Sequence, residues 1–235
     1  MTIPAIYYIP HQDDETLSMA IDIIKHVGAG REVICVLYTS GRGSVAQKVI
    51  NGELSSGYWG GTHNPDLEGY ARLNDAAFTE ARNNEFRSAL GQLGVKPENI
   101  HICPLDLEGT FNKDSVKQLM LEYMAMYPVS GHKTMSYHDG SISHAWAGQA
   151  LNELYNEGKT LDARFFIARA DWAKSLPGVI YTATDDQKKK IQKAARVYEA
   201  WNPVAGAFAV GYHSVPAQFQ EMLVNPQNKI HKPNE

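Results

Sequence analysis

The stretch up to Tyr38 constrains the fold more than any other part of the chain. Ile3–Ile9 is short, apolar and rich in Ile and Tyr, and it stops at Pro10; Glu32–Tyr38 repeats the pattern with Val33, Ile34, Val36 and Leu37. Apolar runs of this length read as strands buried on both faces. Between them, over Thr16–Val27, Leu17, Ile21, Ile24 and Val27 recur at helical spacing, and Gly28 and Gly30 follow where a helix stops. A strand, a helix and a strand in so short a span make a right-handed crossover with two parallel strands in one sheet. That unit commits the chain to an α/β architecture.

The same rhythm continues downstream. Leu73–Leu93 carries Phe78, Phe86, Leu90 and Leu93 on one helical face and ends at Gly94; Ile100–Cys103 is a short strand, Ser115–Tyr127 an amphipathic helix and Lys133–Tyr137 a strand with a polar end. A helix over His144–Tyr155, strands at Ala163–Ala168 and Val179–Thr184, and a solvated helix over Asp185–Trp201 follow. Gly41–Tyr70 is rich in glycine and lacks sustained periodicity, which predicts a long surface loop. The tail from Asn202 carries Pro203, Pro216, Pro226 and Pro233 and is expected to wrap the domain. With 235 residues and 43% hydrophobic content the chain reads as one domain over 1–235, large enough to close a core without staples.

Composition narrows the partners. Twenty-two Lys and Arg stand against 26 Asp and Glu, a formal net charge of −4 with no long basic block, so a nucleic-acid partner is not expected. No run approaches the roughly eighteen apolar residues of a membrane span, and the N-terminus lacks the pattern of an export signal. Cys35 and Cys103 lie in apolar, β-branched surroundings and read as buried thiols of a reducing compartment, which places the chain in the cytoplasm. Amphipathic helix faces serve a core or a neighbour equally well, so a homo-oligomer stays open.

Chemistry concentrates in Pro10-His11-Gln12-Asp13-Asp14-Glu15-Thr16, between the first strand and the first helix. The carboxyl end of a strand is where open α/β sheets bind ligands. Adjacent carboxylates there repel each other unless a cation neutralises them. His11 and Asp14, three residues apart in a turn, can face one point; a catalytic zinc site uses three such ligands and an open position. The third ligand is expected to be His144, at the end of Tyr137-His138-Asp139-Gly140-Ser141-Ile142-Ser143-His144, again between a strand and a helix. Zinc makes water acidic near a pKa of about 7 and polarises a carbonyl. Asp13 then serves as general base and returns its proton to a leaving amine, which predicts amide hydrolysis. Glu15 has an equally good reading as a first-turn acid at a helix N-terminus. Iron, cobalt or manganese suit the same donors. His26, His63, His101, His132, His213 and His231 have no comparable neighbours and are expected at the surface or satisfied inside.

Pro10-His11-Gln12-Asp13-Asp14-Glu15 after a first strand resembles the His-Pro-Asp-Asp-Glu signature of the PIG-L/LmbE-like family of zinc-dependent N-deacetylases. Arg82-Asn83-Asn84-Glu85 ahead of Leu93-Gly94, and Ser141-Ile142-Ser143-His144 ahead of Ala147 and Gly148, follow in the family's order. The resemblance implies a Rossmann-like three-layer α/β sandwich with a mostly parallel central sheet, and zinc on His11, Asp14 and His144 with Asp13 as base. It also implies removal of acetyl from an N-acetylglucosamine-type small molecule. Arg82 would contact substrate hydroxyls or pair with Glu85. Gln12 departs from the family's proline, Ser141 stands where the family often has a histidine that donates to the oxyanion, and Ser143 replaces an aspartate. His138 or Ser141 is then left to donate, with Asp139 holding a histidine or a sugar hydroxyl.

The Gly41–Tyr70 segment leaves the carboxyl end of the second strand, so Trp59 is expected to stack on a sugar and Arg42 to meet an anionic group. Two other readings share the fold. One is a metal-dependent hydratase of a small unsaturated acid, the other a binding protein whose altered Ser141–His144 region no longer turns substrate over.

Overall fold

Alternation along the first strand sorts the core into two layers. In the computed structural model, which describes residues 2–107, 109 and 111–235, the strand β1 (Ala5–Ile9) is buried on both sides. Ala5, Tyr7 and Ile9 face one helical layer, joined by Val33, Cys35 and Leu37 of β2 (Val33–Leu37). Ile6, Tyr8, Ile34 and Val36 face the other. The remaining strands of the sheet are β3 (Ile100–Ile102), β4 (Gly131–Met135), β5 (Ala163–Phe166), β6 (Val179–Thr182) and β7 (Gln227–His231), in the order β3-β2-β1-β4-β5-β7-β6. The five strands from β3 to β5 run parallel; β7 is antiparallel to both β5 and β6.

The first layer is α1 (Ala20–Gly28), α2 (Asp75–Leu93), α5 (Asp185–Val197), the short α6 (Val210–Ser214) and α7 (Pro216–Val224), which bury Ile24, Phe86, Leu90, Ile191, Tyr212 and Phe219 against the sheet. The second is α3 (Lys113–Met126) and α4 (Ile142–Asn156), through Val116, Met120, Ala147 and Leu151. The Rossmann-like three-layer α/β sandwich is therefore observed. Among the described residues no helix is long and apolar enough to cross a membrane. Cys35 is buried and Cys103 half-buried, its Sγ 3.9 Å from the Tyr123 hydroxyl, and neither forms a disulfide.

This topology fixes where a ligand can sit. From β1 the chain moves outward through β2 and β3, then returns to place β4 on the opposite side of β1, so the order reverses between β1 and β4. Loops diverge at such a switch point and leave a crevice at the carboxyl ends of the strands. The two loops there are the ones carrying His11–Glu15 and Ser136–Ser141.

Three expectations are corrected. The helix expected over Thr16–Val27 is two pieces, a wide π turn over Glu15–Met19 and then α1. The wider turn releases the Ile21 N–H, which donates to Asn228 Oδ1 at 2.9 Å. The glycine-rich excursion contains two short helices, Val45–Ile50 and Pro65–Glu68, capped by Ser44 and Asn64, and a small strand pair, Ser55–Ser56 with Gly61–Thr62. The tail does more than wrap: β7 enters the main sheet. Its polar sequence hides a buried strand because each polar side chain finds a partner. Asn228 takes the Ile21 N–H, Lys229 donates to the Leu176 carbonyl at 2.8 Å, and His231 Nε2 lies 2.8 Å from Ser136 Oγ.

Candidate metal centre

His11 and Asp14 are held together by their own turn. Asp13 and Asp14 N–H groups donate to the His11 carbonyl, and the His11 N–H donates to Asp14 Oδ2 at 3.0 Å. The carboxylate thus folds back over the histidine that precedes it. His144 comes from the first turn of α4, and a close approach sets its position. A Cβ on Gly148 would lie 2.2 Å from the Tyr137 nitrogen, so only glycine lets α4 press its backbone onto the loop after β4.

The two loops bring three ligand atoms to one point. His11 Nδ1 lies 2.9 Å from His144 Nε2 and 3.4 Å from Asp14 Oδ2, and His144 Nε2 lies 3.1 Å from Asp14 Oδ2. Three donors about 2.0–2.1 Å from a tetrahedral ion stand roughly 3.3 Å from one another. The observed spacings fit that requirement, and the nitrogen, nitrogen, oxygen donor set suits zinc or a similar divalent ion. Both imidazoles are backed on their far side. His144 Nδ1 is 2.9 Å from Asp139 Oδ2, and His11 Nε2 is 3.1 Å from Ser143 Oγ, which in turn is 3.0 Å from Ser141 Oγ. Such partners fix which ring nitrogen faces the cation.

The electrostatics ask for positive charge here. Burial works to raise the Asp14 carboxyl, but His144 and hydrogen bonds from both histidines hold it well below the usual carboxylate range. Burial works to lower the His144 imidazole, yet Asp14 and Asp139 push it up to about 10. Asp13 shifts the other way, raised by burial and by Asp14 and opposed by Arg82. A carboxylate poised toward accepting a proton beside one locked as an anion is a division of labour suited to base and ligand.

An open cavity of about 370 Å³ leads to this cluster. Its wall includes His11, Asp13, Asp14, Asp139, Ser141 and His144, and beyond them Asp171, Val215 and Gln218. The last three come from segments that carry no motif, and nothing in their sequence marks them as cavity residues.

The other expected site residues separate into two groups. Arg82 is buried with its Nη2 3.6 Å from Asp13 Oδ2 and its Nη1 donating to the Gly41 carbonyl at 3.1 Å. It stands behind Asp13 and does not line the cavity wall. The alternative partner, Glu85, instead accepts from the Val210 and Gly211 N–H groups at 2.7 and 3.2 Å, and burial pushes it up to about 8. Gln12 takes over a linking role that proline cannot perform, donating to the Ser40 carbonyl at 3.1 Å and to Asn83 Oδ1 at 3.0 Å. Glu15 does open the first turn of its helix, but fully buried: it accepts from Tyr198 and Thr16 hydroxyls at 2.6 Å, and burial raises it to about 8.

His138, Trp59 and Arg42 are not brought to the cavity. His138 Nε2 lies 2.8 Å from the Glu235 carbonyl, and its ring packs against Tyr137 at 4.5 Å, tilted by 51°. Trp59, 42% exposed, packs one side on His63 at 4.6 Å and Trp201 at 5.0 Å, ring contacts that hold it away from the crevice. Arg42 is exposed, and its backbone N–H donates to Ser40 Oγ. His63 and His213, read as isolated, are 3.2 Å apart and held by Glu68 and Ser56. Neighbours remote in the chain supplied those partners.

Fold and site together define a Rossmann-like domain with a cluster of two histidines and one aspartate, spaced as a cation would need, at the switch point of its sheet. The family model described as GlcNAc-PI de-N-acetylase, PIG-L, matches residues 6–155, and the chain belongs to that family. Solved structures of similar fold include a deacetylase triple mutant from the teicoplanin biosynthetic pathway, at 13% identity and TM-score 0.65 over 100% of both chains. The N,N'-diacetylchitobiose deacetylase from Pyrococcus horikoshii is 16% identical with TM-score 0.54, over 98% of this chain and 84% of that one. The 4-carboxy-2-hydroxymuconate hydratase GalB from Pseudomonas putida is 14% identical with TM-score 0.56, over 98% and 95%. A search of curated protein sequences gives no match.

Proposed function

We propose that this chain is a zinc-dependent N-deacetylase that removes acetyl from an N-acetylglucosamine-type or related amino-sugar small molecule. The observation that carries it is the convergence of His11 Nδ1, His144 Nε2 and Asp14 Oδ2 beside the buried carboxyl of Asp13. Bound to those three residues, zinc supplies Lewis acidity that lowers the pKa of water and polarises a carbonyl. The chain's own groups do the rest. Asp13, in the cavity wall, takes the proton of the attacking water and later delivers it to the leaving nitrogen. Arg82, 3.6 Å away, steadies the Asp13 carboxylate from behind without reaching the substrate. Asp139 holds His144 in the tautomer whose Nε2 faces the centre.

The GalB likeness keeps a hydratase of a small unsaturated acid as a second reading, and the cavity wall weighs against it. Asp13, Asp14, Asp139 and Asp171 contribute carboxylates there, and among the described residues no Lys or Arg lines the wall. The nearby cations are already engaged, Lys174 with Asp171 at 2.7 Å and Arg169 with Glu221 at 2.8 Å. Apart from the cation itself, a substrate carboxylate would meet only like charge in this wall. An uncharged acetamide has no such penalty.

Elemental analysis of protein purified without added metal, paired with acetate release from N-acetylglucosamine derivatives by the parent protein and Asp13→Ala, tests the reading. Near-stoichiometric zinc and acetate release abolished in the variant are expected. Absence of any transition metal, or full activity in the variant, refutes it. Loss of ultraviolet absorbance from an unsaturated acid identifies the hydratase; tight binding of an acetylated sugar without product identifies the binding protein.

A further inference from the structure

We propose that Ser141 is the residue that donates a hydrogen bond to the carbonyl oxygen of the substrate, its proton aimed into the cavity by a hydroxyl chain that begins at His11. The inference rests on the deacetylase reading above and assigns it a donor.

The direction of the chain follows from which nitrogens are occupied. Among the three ligand atoms the His11 contribution is Nδ1, so a cation held there takes the Nδ1 lone pair, and a neutral His11 carries its proton on Nε2. That N–H donates to Ser143 Oγ at 3.1 Å. The Ser143 hydroxyl has then accepted, and its own proton has Ser141 Oγ at 3.0 Å. Having accepted from Ser143, the Ser141 hydroxyl keeps a proton with no acceptor among the described residues, and Ser141 lines the cavity beside His11, Asp13 and His144. Each link polarises the next, so the terminal hydroxyl is a better donor than an isolated serine. The reverse direction, with Ser143 donating to His11, requires the His11 proton on Nδ1 and is incompatible with an occupied centre. Cation binding therefore orients the donor.

The backbone supports the same role. Asp139 Oδ1 accepts from the Ser141 N–H at 2.9 Å while its Oδ2 receives His144 Nδ1–H, so one carboxylate fixes both a ligand and the donor residue. His138, the other candidate donor, is turned away toward Glu235. Ser143 is on this reading a positioning residue. No bond is made or broken at either serine; they contribute hydrogen bonds that strengthen as charge gathers on the carbonyl oxygen.

The test compares Ser141→Ala, Ser143→Ala and Ser143→Thr with the parent protein through three measurements: the zinc dissociation constant by chelator competition, acetate affinity of the zinc-loaded protein by calorimetry, and acetate release from an N-acetylglucosamine derivative. Ser141→Ala is expected to leave zinc affinity unchanged. It should weaken acetate binding about tenfold and lower kcat about a hundredfold with KM near the parent value. Ser143→Ala should weaken zinc about tenfold as well, because His11 loses its partner, and Ser143→Thr, which keeps the hydroxyl, should restore both. Ser141→Ala with parental acetate affinity and kcat overturns the donor role; Ser143→Ala with parental zinc affinity overturns the chain. A zinc-loaded parent protein that releases no acetate overturns the underlying reading and the donor role with it.

Discussion

Gly148→Ala tests whether helix α4 is seated as tightly as the geometry requires. In an open helix interior the change should stabilise, since alanine is the better helix former by about 1 kcal/mol. Here the added Cβ would lie 2.2 Å from the Tyr137 nitrogen, 2.6 Å from the Ser136 carbonyl carbon and 2.7 Å from the Tyr137 Cα. All three are backbone atoms, which cannot rotate aside as a side chain can. The helix or the loop must move by roughly 1 Å, and overpacking against rigid backbone falls at the upper end of the usual range, about 2–3 kcal/mol. The cost exceeds the propensity gain, so the sign reverses: a net loss of about 1–2 kcal/mol and a fall in Tm of about 2–8 °C for a chain of this length. Gly91→Ala is the internal control. Gly91 lies in α2 with nothing within 4 Å of its Cβ position, so the same substitution there should raise stability. Thermal and urea unfolding followed by circular dichroism read both variants. Because His144 sits one turn before Gly148, zinc affinity should fall with the stability. A Gly148→Ala protein as stable as the parent, beside a stabilised Gly91→Ala, would refute the close approach.

Three further outcomes follow from particular contacts. Asp139→Asn keeps an acceptor for His144 but removes its charge, and zinc affinity by chelator competition should drop about tenfold. Trp59→Ala should leave KM for an acetylated sugar unchanged while lowering unfolding free energy by about 1–2 kcal/mol, since its ring packs on His63 and Trp201 and not over the cavity; a raised KM would return Trp59 to the site. Glu85, raised to about 8 from an ordinary 4.5, binds its proton more tightly folded than unfolded. It therefore contributes stability that is full below about pH 4.5 and lost as pH rises to about 8, with a slope approaching 1.4 kcal/mol per pH unit. Glu85→Gln, which keeps one acceptor oxygen for the shorter bond from Val210 and gives up the longer one from Gly211, should flatten that slope in urea titrations between pH 5 and 8.

The sequence was most legible where one physical pattern acted alone. Apolar runs at Ile3–Ile9 and Glu32–Tyr38 located β1 and β2, because a strand buried on both faces needs nothing else. The cluster of His11, Asp14 and His144 was legible because adjacent carboxylates and a histidine at one strand end, with a second histidine at a like junction, make a donor set suited to a cation. What escaped depended on contacts between distant residues. Gln227–His231 reads as polar, and only Ile21, Leu176 and Ser136 make it a buried strand. Trp59 seemed placed for a sugar until Trp201, far along the chain, offered a better surface. Asp139 was left open between a histidine and a hydroxyl, and the distance of 2.9 Å to His144 decides for the histidine. Ser143 was legible only as the replacement of an aspartate; that its own hydroxyl backs His11 at 3.1 Å depends on the meeting of two remote loops.

The position of β7 has a consequence for biosynthesis. Of the seven strands it is made last, yet it lies inside the sheet, with β5 on one side and β6 on the other. Until it emerges from the ribosome, β5 has an unpaired edge and β6 has no neighbour at all. Open edges of that kind recruit other chains. The nascent protein should depend on chaperones most in the interval between synthesis of β6 and of β7, and premature termination there should yield aggregates in place of a smaller working enzyme.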